Sequence, residues 1–436
     1  MKSLFIQGGR IIDPGQGIDQ IGSLLITDGR IPWLGVGEKT PPHPDYKILH
    51  AHGLIVCPGF VDLHCHLRQP GFEDKETIAS GTRAAAKGGF TTICCMPNTN
   101  PPLDNQASID YVKSVAATEG VVSVLPIGCV SRGRNGEELA ELGELASAGA
   151  VGYSDDGQQV RHPRVMREAL ESSRDLGLPI IDHCEDTTLT EGGVMNEGIV
   201  SARLGLRGMP AAAEEVIVAR DLALARLTGG RLHIAHVSTE GSVDLIRRAK
   251  NEGINVTAEV TPHHLTLTEE RVIGYDTNAK VNPPLRTSRD VHALIHGIKE
   301  GVIDTIATDH APHTGADKQC EFALAPFGIS VFETALGSLM SLVHNEEMTL
   351  TTIISKLTCE PAKIIGDKFG KPGTLNIGET ADITIFDPDM DWVVDTGDFA
   401  SKGKNTPLAG SVLKGKVMAT ISRGKLVYKD DSITLK

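Results

Sequence analysis

A pair of histidines two residues apart, in the segment CPGFVDLHCHLR from Cys57 to Arg68, offers the clearest chemistry in this sequence. The apolar residues before and between the histidines predict a buried strand, and successive side chains of a strand point to opposite faces. His64 and His66 should therefore project from the same face and can bind one metal ion. The same spacing also arises by chance among packed or surface histidines, so the interpretation depends on what the rest of the chain brings to this face.

The length and composition indicate a large folded chain. With 436 residues and 40% hydrophobic content, it can bury a large core, and its length predicts one large domain with a smaller one. The net charge of -14 leaves no basic excess to neutralise phosphates, so we expect neither nucleic acid nor an anionic membrane as a partner. The expected partners are small molecules or other proteins.

The sequence also predicts a cytoplasmic location. The first apolar run breaks at Gly8, too early for a signal peptide, and no later window approaches the roughly 18 consecutive apolar residues of a membrane span. The eight cysteines follow no repeated CxxC spacing. Several of them (Cys94, Cys95, Cys129 and Cys184) lie in or beside apolar strands, which favours buried free thiols over disulfides.

Most of the chain alternates between short apolar strands and helices. The helices include the Ala-rich segment Glu76–Lys87, which Gly88 and Gly89 close, and later segments at 137–148, 165–176, 211–227 and 243–250. Short apolar runs without strict alternation are typical of parallel strands covered on both faces. After the strand that carries the histidine pair, such runs lie at 91–96, 121–129, 150–154, 179–182, 231–236, 255–260 and 303–308.

Eight such units predict an α/β fold, a closed (β/α)₈ TIM-type barrel whose active site lies at the C-terminal ends of its strands. A doubly wound open sheet is the alternative, but no Gly-rich phosphate loop supports it. The two chain ends carry further short strands, with turn signals at Asp28-Gly29 and Arg423-Gly424. Because neither end can close a core alone, we predict a small β domain from residues 1–56 and 372–436, beside a barrel of residues 57–371.

Polar residues follow the predicted strands on the expected catalytic face. The first strand ends in the histidine pair, and later strands end at Asp155-Asp156, His183, His236 and Asp309. Four histidines and two aspartates converging there indicate metal binding. His233 shares a strand with His236, but their spacing points it to the other side, so we interpret it as structural.

Six ligands exceed what one tetrahedral zinc ion uses, which predicts two metals with a bridging ligand. A carboxylate suits the bridge because its two oxygens can bind different ions. Asp155 and Asp156 alternate faces, so only one of them should point into the barrel. Two adjacent metals would activate a shared hydroxide without a side-chain nucleophile, and the residues alone therefore indicate a dinuclear metallohydrolase.

The run PGFVDLHCHLRQPG, Pro58 to Gly71, resembles the signature of dihydroorotases, a family of the amidohydrolase superfamily. The resemblance covers nearly the whole chain and is closest to the long bacterial type. Further matching motifs are MPNT (96–99), DHCED (182–186), AHVST (235–239), AEVTPHHL (258–265), NPPLR (282–286), ATDHAPH (307–313), APFG (325–328) and GKNTP (403–407).

The resemblance implies a set of six metal ligands and two zinc ions per subunit. Many relatives in the superfamily bridge their metals with a carboxylated lysine, but GYSDDG offers only carboxylates there. Aspartate takes this place in the long bacterial type, which makes Asp156 the implied bridge. The implied ligands are His64, His66, Asp156, His183, His236 and Asp309.

The implied reaction is the reversible cyclisation of N-carbamoyl-L-aspartate to L-dihydroorotate in pyrimidine (UMP) biosynthesis. In the hydrolytic direction a metal-bound hydroxide attacks the ring amide, and Asp309 moves the proton from water to the leaving nitrogen. Arg68 offers a planar fork to the substrate carboxylate. The other implied substrate contacts are Asn98, Asn282, His313, Phe327 and Gly328.

Two other functions are open. Allantoinases and dihydropyrimidinases hydrolyse related cyclic amides, but they usually carry the lysine bridge and lack an arginine at the position of Arg68. A non-catalytic homologue that only scaffolds aspartate transcarbamoylase would have lost metal ligands, whereas this chain has all six. The resemblance further implies a homo-oligomer, with aspartate transcarbamoylase as a potential protein partner.

Overall fold

The structure, a computed structural model, describes residues 3–37 and 46–435. In this part of the chain its α-helices are α1 Ile78–Lys87, α2 Gln106–Glu119, α3 Leu142–Ala148, α4 Pro163–Leu176, α5 Ile199–Leu204, α6 Ala212–Thr228, α7 Glu240–Asn251, α8 Pro262–Thr266, α9 Ser288–Lys299, α10 Gly315–Lys318, α11 Ala335–His344, α12 Leu350–Leu357 and α13 Cys359–Ile365. The strands are β1 Ser3–Asp13, β2 Ile18–Thr27, β3 Arg30–Val36, β4 Tyr46–His50, β5 Ile55–Pro58, β6 Phe60–Cys65, β7 Phe90–Cys95, β8 Ser123–Pro126, β9 Ile180–Asp182, β10 Met195–Asn196, β11 Gly208–Met209, β12 Leu232–Ile234, β13 Val256–Val260, β14 Thr305–Ile306, β15 Ile383–Val393, β16 Val412–Ser422 and β17 Lys425–Lys429.

The two chain ends share one sheet. Its order is β17-β16-β15-β5-β1-β2-β3, and β4 pairs in parallel with β1. The N-terminal and C-terminal strands meet where β15 pairs antiparallel with β5. The predicted turn at Asp28-Gly29 joins β2 to β3, and both residues have the positive φ that a tight hairpin needs (51° and 80°).

The strands of the central part are parallel. They form one sheet of order β6-β7-β8 and another of order β14-β13-β12-β9, as their unbroken apolar sequences predicted. Single parallel bridges join the two sheets at both sides: Cys65 pairs with His310 beyond β14, and Tyr153 pairs with both Gly128 and Ile180. All of these strands therefore run side by side, with their C-terminal ends on the same side.

The predicted fourth strand, 150–154, forms no strand of its own. Its backbone nevertheless bonds to both neighbours: Val151 N donates to Pro126 O, and Tyr153 N donates to Pro179 O. Gly152 interrupts the segment, and glycine weakens a strand because it contributes no side chain to pack. The segment thus fills the predicted place with only one bridge on each side.

One predicted helix is too long. Residues 137–148 were expected to be helical, but α3 begins only at Leu142. The residues before it pair in an extended conformation, with Ala140 N donating to Val130 O and a bridge joining Leu139 to Ser131. Backbone hydrogen bonds to the loop after β8 thus replace those of a first helical turn.

The helix after the histidine pair illustrates how the core positions the site. Thr77 and Ser80 form a capping box at the start of α1, and Ala84, Ala85 and Ala86 are all buried. The chain then turns at Gly89, whose φ is +91° and whose Cβ would lie 2.9 Å from the ring of Phe60. Only glycine allows this close approach of the turn to β6.

The structure also bears on the cysteines and on the predicted absence of a membrane span. All eight cysteines are free thiols, and all except Cys320 are buried. No helix in the described ranges combines the length and apolarity needed to cross a membrane.

Candidate active site

The six predicted ligand residues meet at the C-terminal ends of the parallel strands. His64 lies in β6, and the others follow β6, the 150–154 segment, β9, β12 and β14. All six are at most 5% exposed. The residues concerned are His64, His66, Asp156, His183, His236 and Asp309.

Asp156 lies between the histidines of different strands. Its Oδ1 is 3.2 Å from Nε2 of His64 and 3.7 Å from both His183 Nδ1 and His236 Nε2. Its Oδ2 is 3.5 Å from Nε2 of His66. One carboxylate thus turns its two oxygens toward different sets of imidazole nitrogens, the arrangement that a bridge between two cations requires.

Asp309 also contacts His64 and His66. Its Oδ1 is 2.9 Å from His66 Nε2 and 3.5 Å from His64 Nε2. Two overlapping groups therefore have their ligand atoms within 4.8 Å of one another, His64 with Asp156 and His236, and His64 with His66 and Asp309. Nitrogen and carboxylate donors in this number suit a divalent transition metal such as zinc.

A buried nitrogen of His64 fits this interpretation. Its Nδ1–H donates to Oε1 of Glu259 at 2.6 Å, which leaves Nε2 as the basic nitrogen. That Nε2 is buried and has no hydrogen-bond partner within the described ranges. A histidine held by a carboxylate through one nitrogen, with the other one free, is the usual state of a metal ligand.

Two glutamates that the sequence analysis did not select support the histidines from behind. Glu259 accepts from His64 and, through Oε2 at 3.1 Å, from His233 Nε2. Glu185 accepts from His183 Nε2 at 2.9 Å. Both lie inside motifs already singled out, AEVTPHHL and DHCED, but a buried carboxylate behind a ligand leaves no periodic signal by which to recognise it.

Burial disfavours the charged forms at this site, and the opposite charges outweigh it. The pKa of Asp309 stays well below its ordinary value because His64 and His66 stabilise the carboxylate against the cost of burial. The same balance, with His64 as the main neighbour, lowers the pKa of Asp156. Burial acts against the charge of His183, but Asp156 and Glu185 raise its pKa to about 10.

Asp155 points away from the histidines, as the alternation of faces predicted for one of the two aspartates. Its carboxylate accepts from the backbone N–H groups of Val130 and Ser131, at 3.0 and 3.1 Å, and from the Ser131 hydroxyl. Burial raises the pKa of Asp155 in spite of these bonds. It ties the loop after β8 to the 150–154 segment.

A cavity of about 300 Å³ opens beside the aspartates and histidines. Five of the six predicted substrate contacts line it, and they are Arg68, Asn98, Asn282, Phe327 and Gly328. Arg68 is half-buried beside the Pro312 carbonyl and the His313 ring, and none of the described carboxylates lies within ion-pair distance of it. Burial, the largest influence, lowers the pKa of its guanidinium.

The sixth predicted contact, His313, lies directly behind the cavity wall. Its Nε2–H donates to the Phe327 carbonyl at 2.8 Å, while its Nδ1 is buried without a hydrogen-bond partner in the described part of the chain. Burial and then the charge of Arg68 lower the pKa of His313 to about 2. The ring is therefore neutral.

The backbone of the site is strained at three side chains that face the cavity. Arg68, His236 and Asp309 have φ values of 61°, 31° and 45°. Such left-handed conformations cost about 1–3 kcal/mol each in residues other than glycine, and they persist where the surroundings impose them. Gly328 is a related case, since its φ is +139° and an added Cβ would lie 2.7 Å from the Ala311 carbonyl oxygen.

Comparison with known proteins identifies the family. The family model described as "Dihydro-orotase-like" matches residues 53–242. The chain is 52% identical to the dihydroorotase of Pelotomaculum thermopropionicum over 98% of this chain and 99% of that protein. It is 50% identical to the dihydroorotase of Geobacter metallireducens over 98% of this chain and 100% of that protein. The chain belongs to the dihydroorotase family.

Solved structures agree on the architecture of this dihydroorotase-family chain. It is similar to the L-hydantoinase (dihydropyrimidinase) from Arthrobacter aurescens, with a TM-score of 0.89 and 25% identity, over 100% of this chain and 98% of that one. The dihydropyrimidinase from Brevibacillus agri NCHU1002 gives a TM-score of 0.85 at 23% identity, over 99% and 96% of the two chains, and shows the fold alone. The chain is a cyclic-amide hydrolase of a metal-dependent family.

Proposed function

We propose that the cavity described above carries out the reaction of the dihydroorotase family, the reversible cyclisation of N-carbamoyl-L-aspartate to L-dihydroorotate in pyrimidine biosynthesis. The observation that carries this assignment is that one cavity holds both the half-buried guanidinium of Arg68 and the cluster of histidines and aspartates. Arg68 and His66 line the same cavity, and His66 contacts Asp309. A guanidinium on the wall of a cavity, with no carboxylate partner among the described residues, is available to pair with a carboxylate of the ligand.

The metal centre is proposed as two Zn²⁺ ions. Four histidines would supply imidazole nitrogens, and they are His64, His66, His183 and His236. Asp309 would supply a terminal carboxylate, and Asp156 would bridge with its two oxygens. Bound zinc lowers the pKa of water and polarises a carbonyl oxygen, which is the chemistry an amide needs for attack.

Asp309 is proposed as the residue that carries the proton. Its lowered pKa keeps it ionised near neutral pH, so that it can accept a proton from the attacking water in the hydrolytic direction. It then donates this proton to the leaving ring nitrogen. In ring closure the same carboxylate takes the proton from the carbamoyl nitrogen and returns it to the departing oxygen.

The remaining side chains are proposed to hold the substrate. Arg68 would pair with its carboxylate through two parallel N–H donors. Asn98 and Asn282 line the cavity, as do Phe327 and Gly328. His313 would orient this closing segment through its bond to the Phe327 carbonyl.

The finer division of the fold is part of the same proposal. Parallel pairing within both central sheets, with single bridges between them, supports a closed (β/α)₈ barrel for residues 57–371. The shared sheet of the chain ends supports a small β domain of residues 1–56 and 372–436. A homo-oligomer, association with aspartate transcarbamoylase and a cytoplasmic location stay predictions from the sequence.

A hydantoinase or dihydropyrimidinase activity is the second candidate, favoured by the structural likeness to the Arthrobacter aurescens protein. Those substrates are uncharged where dihydroorotate carries its carboxylate. Arg68, half-buried on the cavity wall, would face an uncharged ring without a counter-charge, which argues against this candidate.

The deciding experiment measures metal content and turnover on the same purified protein. Dihydroorotate, allantoin and dihydrouracil serve as substrates, each assayed before and after removal and return of zinc. We expect about two zinc ions per chain and turnover of dihydroorotate above the other two rings. Greater turnover of an uncharged ring would support the second candidate, and bound metal without turnover of any ring would support a scaffold.

A further inference from the structure

Asn282 is held in one orientation by a group outside the cavity. Its Nδ2 lies 2.8 Å from Oε2 of Glu185 and 3.4 Å from Nε2 of His183. Asn282 itself lines the cavity, whereas Glu185 does not. The side-chain carbonyl oxygen of Asn282 makes no hydrogen bond to any of the residues that the structure describes.

Glu185 is itself held on three sides. Thr190 donates its hydroxyl to Oε1, His183 donates Nε2–H to Oε2 at 2.9 Å, and Asn282 also donates to Oε2. A carboxylate that receives three donors is ionised and can only accept. Asn282 must therefore turn its NH₂ group to Glu185, which leaves its oxygen for the cavity.

Asn98, the other amide side chain that lines the cavity, uses its groups in the opposite way to Asn282. The Nδ1–H of His66 donates to Oδ1 of Asn98 at 2.9 Å, which occupies the carbonyl of Asn98. Its NH₂ group donates to Oδ2 of Asp156 at 3.4 Å, and both residues line the cavity. One amide thus presents donors and the other an acceptor, so that a bound ring meets groups of opposite hydrogen-bonding character.

We propose that Glu185 is a positioning residue for Asn282, and that the Asn282 oxygen accepts a hydrogen bond from a ring N–H of the substrate. The site would then select cyclic ureides with an unsubstituted ring nitrogen at this position. This inference rests on the proposed function, because it assigns Asn282 to the dihydroorotate site. Glu185 acts through Asn282 and touches no substrate.

The test exchanges the two polar groups. Asn282→Asp keeps an acceptor oxygen but sets two carboxylates against each other across the 2.8 Å contact. The double variant combines Asn282→Asp with Glu185→Gln. Its glutamine NH₂ group can donate to the new carboxylate at position 282, and so can Nε2–H of His183. The pair then has its original total charge, and an acceptor again faces the cavity.

We expect Asn282→Asp to raise KM for dihydroorotate by about 10- to 100-fold, the scale of a disrupted buried hydrogen bond. The double variant should recover at least half of that loss on a logarithmic scale, with a smaller change in kcat than in KM. The charge-matched control is Asp186→Asn, because Asp186 accepts only from Thr188 and Leu189, and it should leave KM unchanged. Zinc content and circular dichroism of each variant are measured in parallel.

If the double variant keeps its zinc and fold but has the same KM as the single variant, the inference is overturned. Asn282 would then act as a donor to the substrate, a role that aspartate cannot take. Should Asn282→Asp fail to fold, inhibition by ring-N-methylated dihydroorotates decides instead. Asn282→Leu should then weaken binding of the unmethylated ring and leave that of one methylated ring unchanged; equal weakening of all of them would overturn the inference. Failure of the proposed function is separate, since it appears as absent dihydroorotate turnover in the zinc-loaded wild type, and it would remove this inference as well.

Discussion

The Nη2 of Arg68 lies 3.4 Å from Nε2 of His313, but neither nitrogen accepts a hydrogen bond from the other. His313 already donates Nε2–H to the Phe327 carbonyl at 2.8 Å, so both atoms are donors. The Nε–H of Arg68 donates to the Pro312 carbonyl at 3.3 Å. The terminal nitrogens of the guanidinium are thus left for a ligand, in a pocket whose neutral imidazole adds no competing charge.

Arg68→Gln should lower kcat/KM for dihydroorotate. The loss of transition-state stabilisation should be roughly 2 to 4 kcal/mol, the scale of a truncated buried charge pair. Arg68→Lys should also be poorly tolerated, because an ammonium cannot form two parallel hydrogen bonds. Steady-state kinetics on dihydroorotate and dihydrouracil measure both changes. Zinc content serves as the control, since Arg68 is not among the donor groups of the metal centre.

The uncharged ring distinguishes reading of the carboxylate from general support of the site. Any weak turnover of dihydrouracil should survive the substitution of Arg68, since that ring has no carboxylate to lose. A loss by the same factor on both rings would mean that Arg68 holds the site together, and the substrate assignment would lose its main chemical support.

Asp156→Ala should lower zinc content and abolish turnover, because the oxygens of this carboxylate face four histidines. The matched control is Asp155→Ala, one residue away. Asp155 binds the loop after β8 instead, so its loss should lower the melting temperature and leave zinc content near that of the wild type. Zinc by atomic absorption and melting by calorimetry measure the two effects. Equal zinc in both variants would show that no bridge exists at Asp156.

Asp309→Asn tests the two roles of that residue. The amide oxygen can still ligate weakly but cannot accept a proton, so turnover should fall by about 10²- to 10⁴-fold even in the fraction that retains zinc. Turnover per bound zinc is the measurement. Near-normal turnover would remove Asp309 as the base, and His313 would be the next residue to test.

Much of the site could be predicted because its residues follow strands. The histidine pair at the end of β6 and the polar residues after β9, β12 and β14 all fall where parallel strands end, and apolar runs of this kind are recognisable in the sequence. Which aspartate faces the histidines was left open by alternation alone. The resemblance to dihydroorotases indicated Asp156, and the three hydrogen bonds of Asp155 provide the physical reason.

Other features could not be predicted because they depend on distant contacts. Glu185 and Glu259 are ordinary acidic residues in the sequence, and only the fold brings them behind His183 and His64. The late start of α3 has a similar cause, since residues before Leu142 bond to the segment after β8. Local propensity is a weak guide where tertiary hydrogen bonds compete with it.

Lys318 is a buried lysine that holds the backbone of a segment lining the cavity. Its Nζ donates to the carbonyls of Pro326, at 2.7 Å, and Thr277, at 3.0 Å, and Pro326 lines the cavity together with Phe327 and Gly328. No carboxylate of the described residues lies within ion-pair distance of this ammonium. Burial, followed by the charge of Lys280, lowers the pKa of Lys318 to about 7, against the weaker opposing effects of Asp276 and other groups.

This lowered pKa predicts how stability depends on pH. Between about pH 7 and 10 the unfolded chain binds a proton at Lys318 that the folded chain has lost, so the free energy of unfolding should rise with pH in this window. The contribution of one group approaches at most about 1.4 kcal/mol per pH unit. Below pH 7 both states are protonated, and the cost of burying the charge is fully present.

Lys318→Met should remove this dependence, because methionine does not titrate. Urea unfolding of wild type and variant at pH 7 and pH 9 isolates the contribution as the difference between their slopes. The control is Lys363→Met: Lys363 is exposed and pairs with Glu360, which raises its pKa and moves its titration above the window. Lys318→Met should also raise KM for dihydroorotate, since the Pro326 carbonyl loses its donor. Equal slopes for wild type and Lys318→Met would show that Lys318 stays protonated in the folded chain, and that its two carbonyl partners are enough to stabilise the buried ammonium.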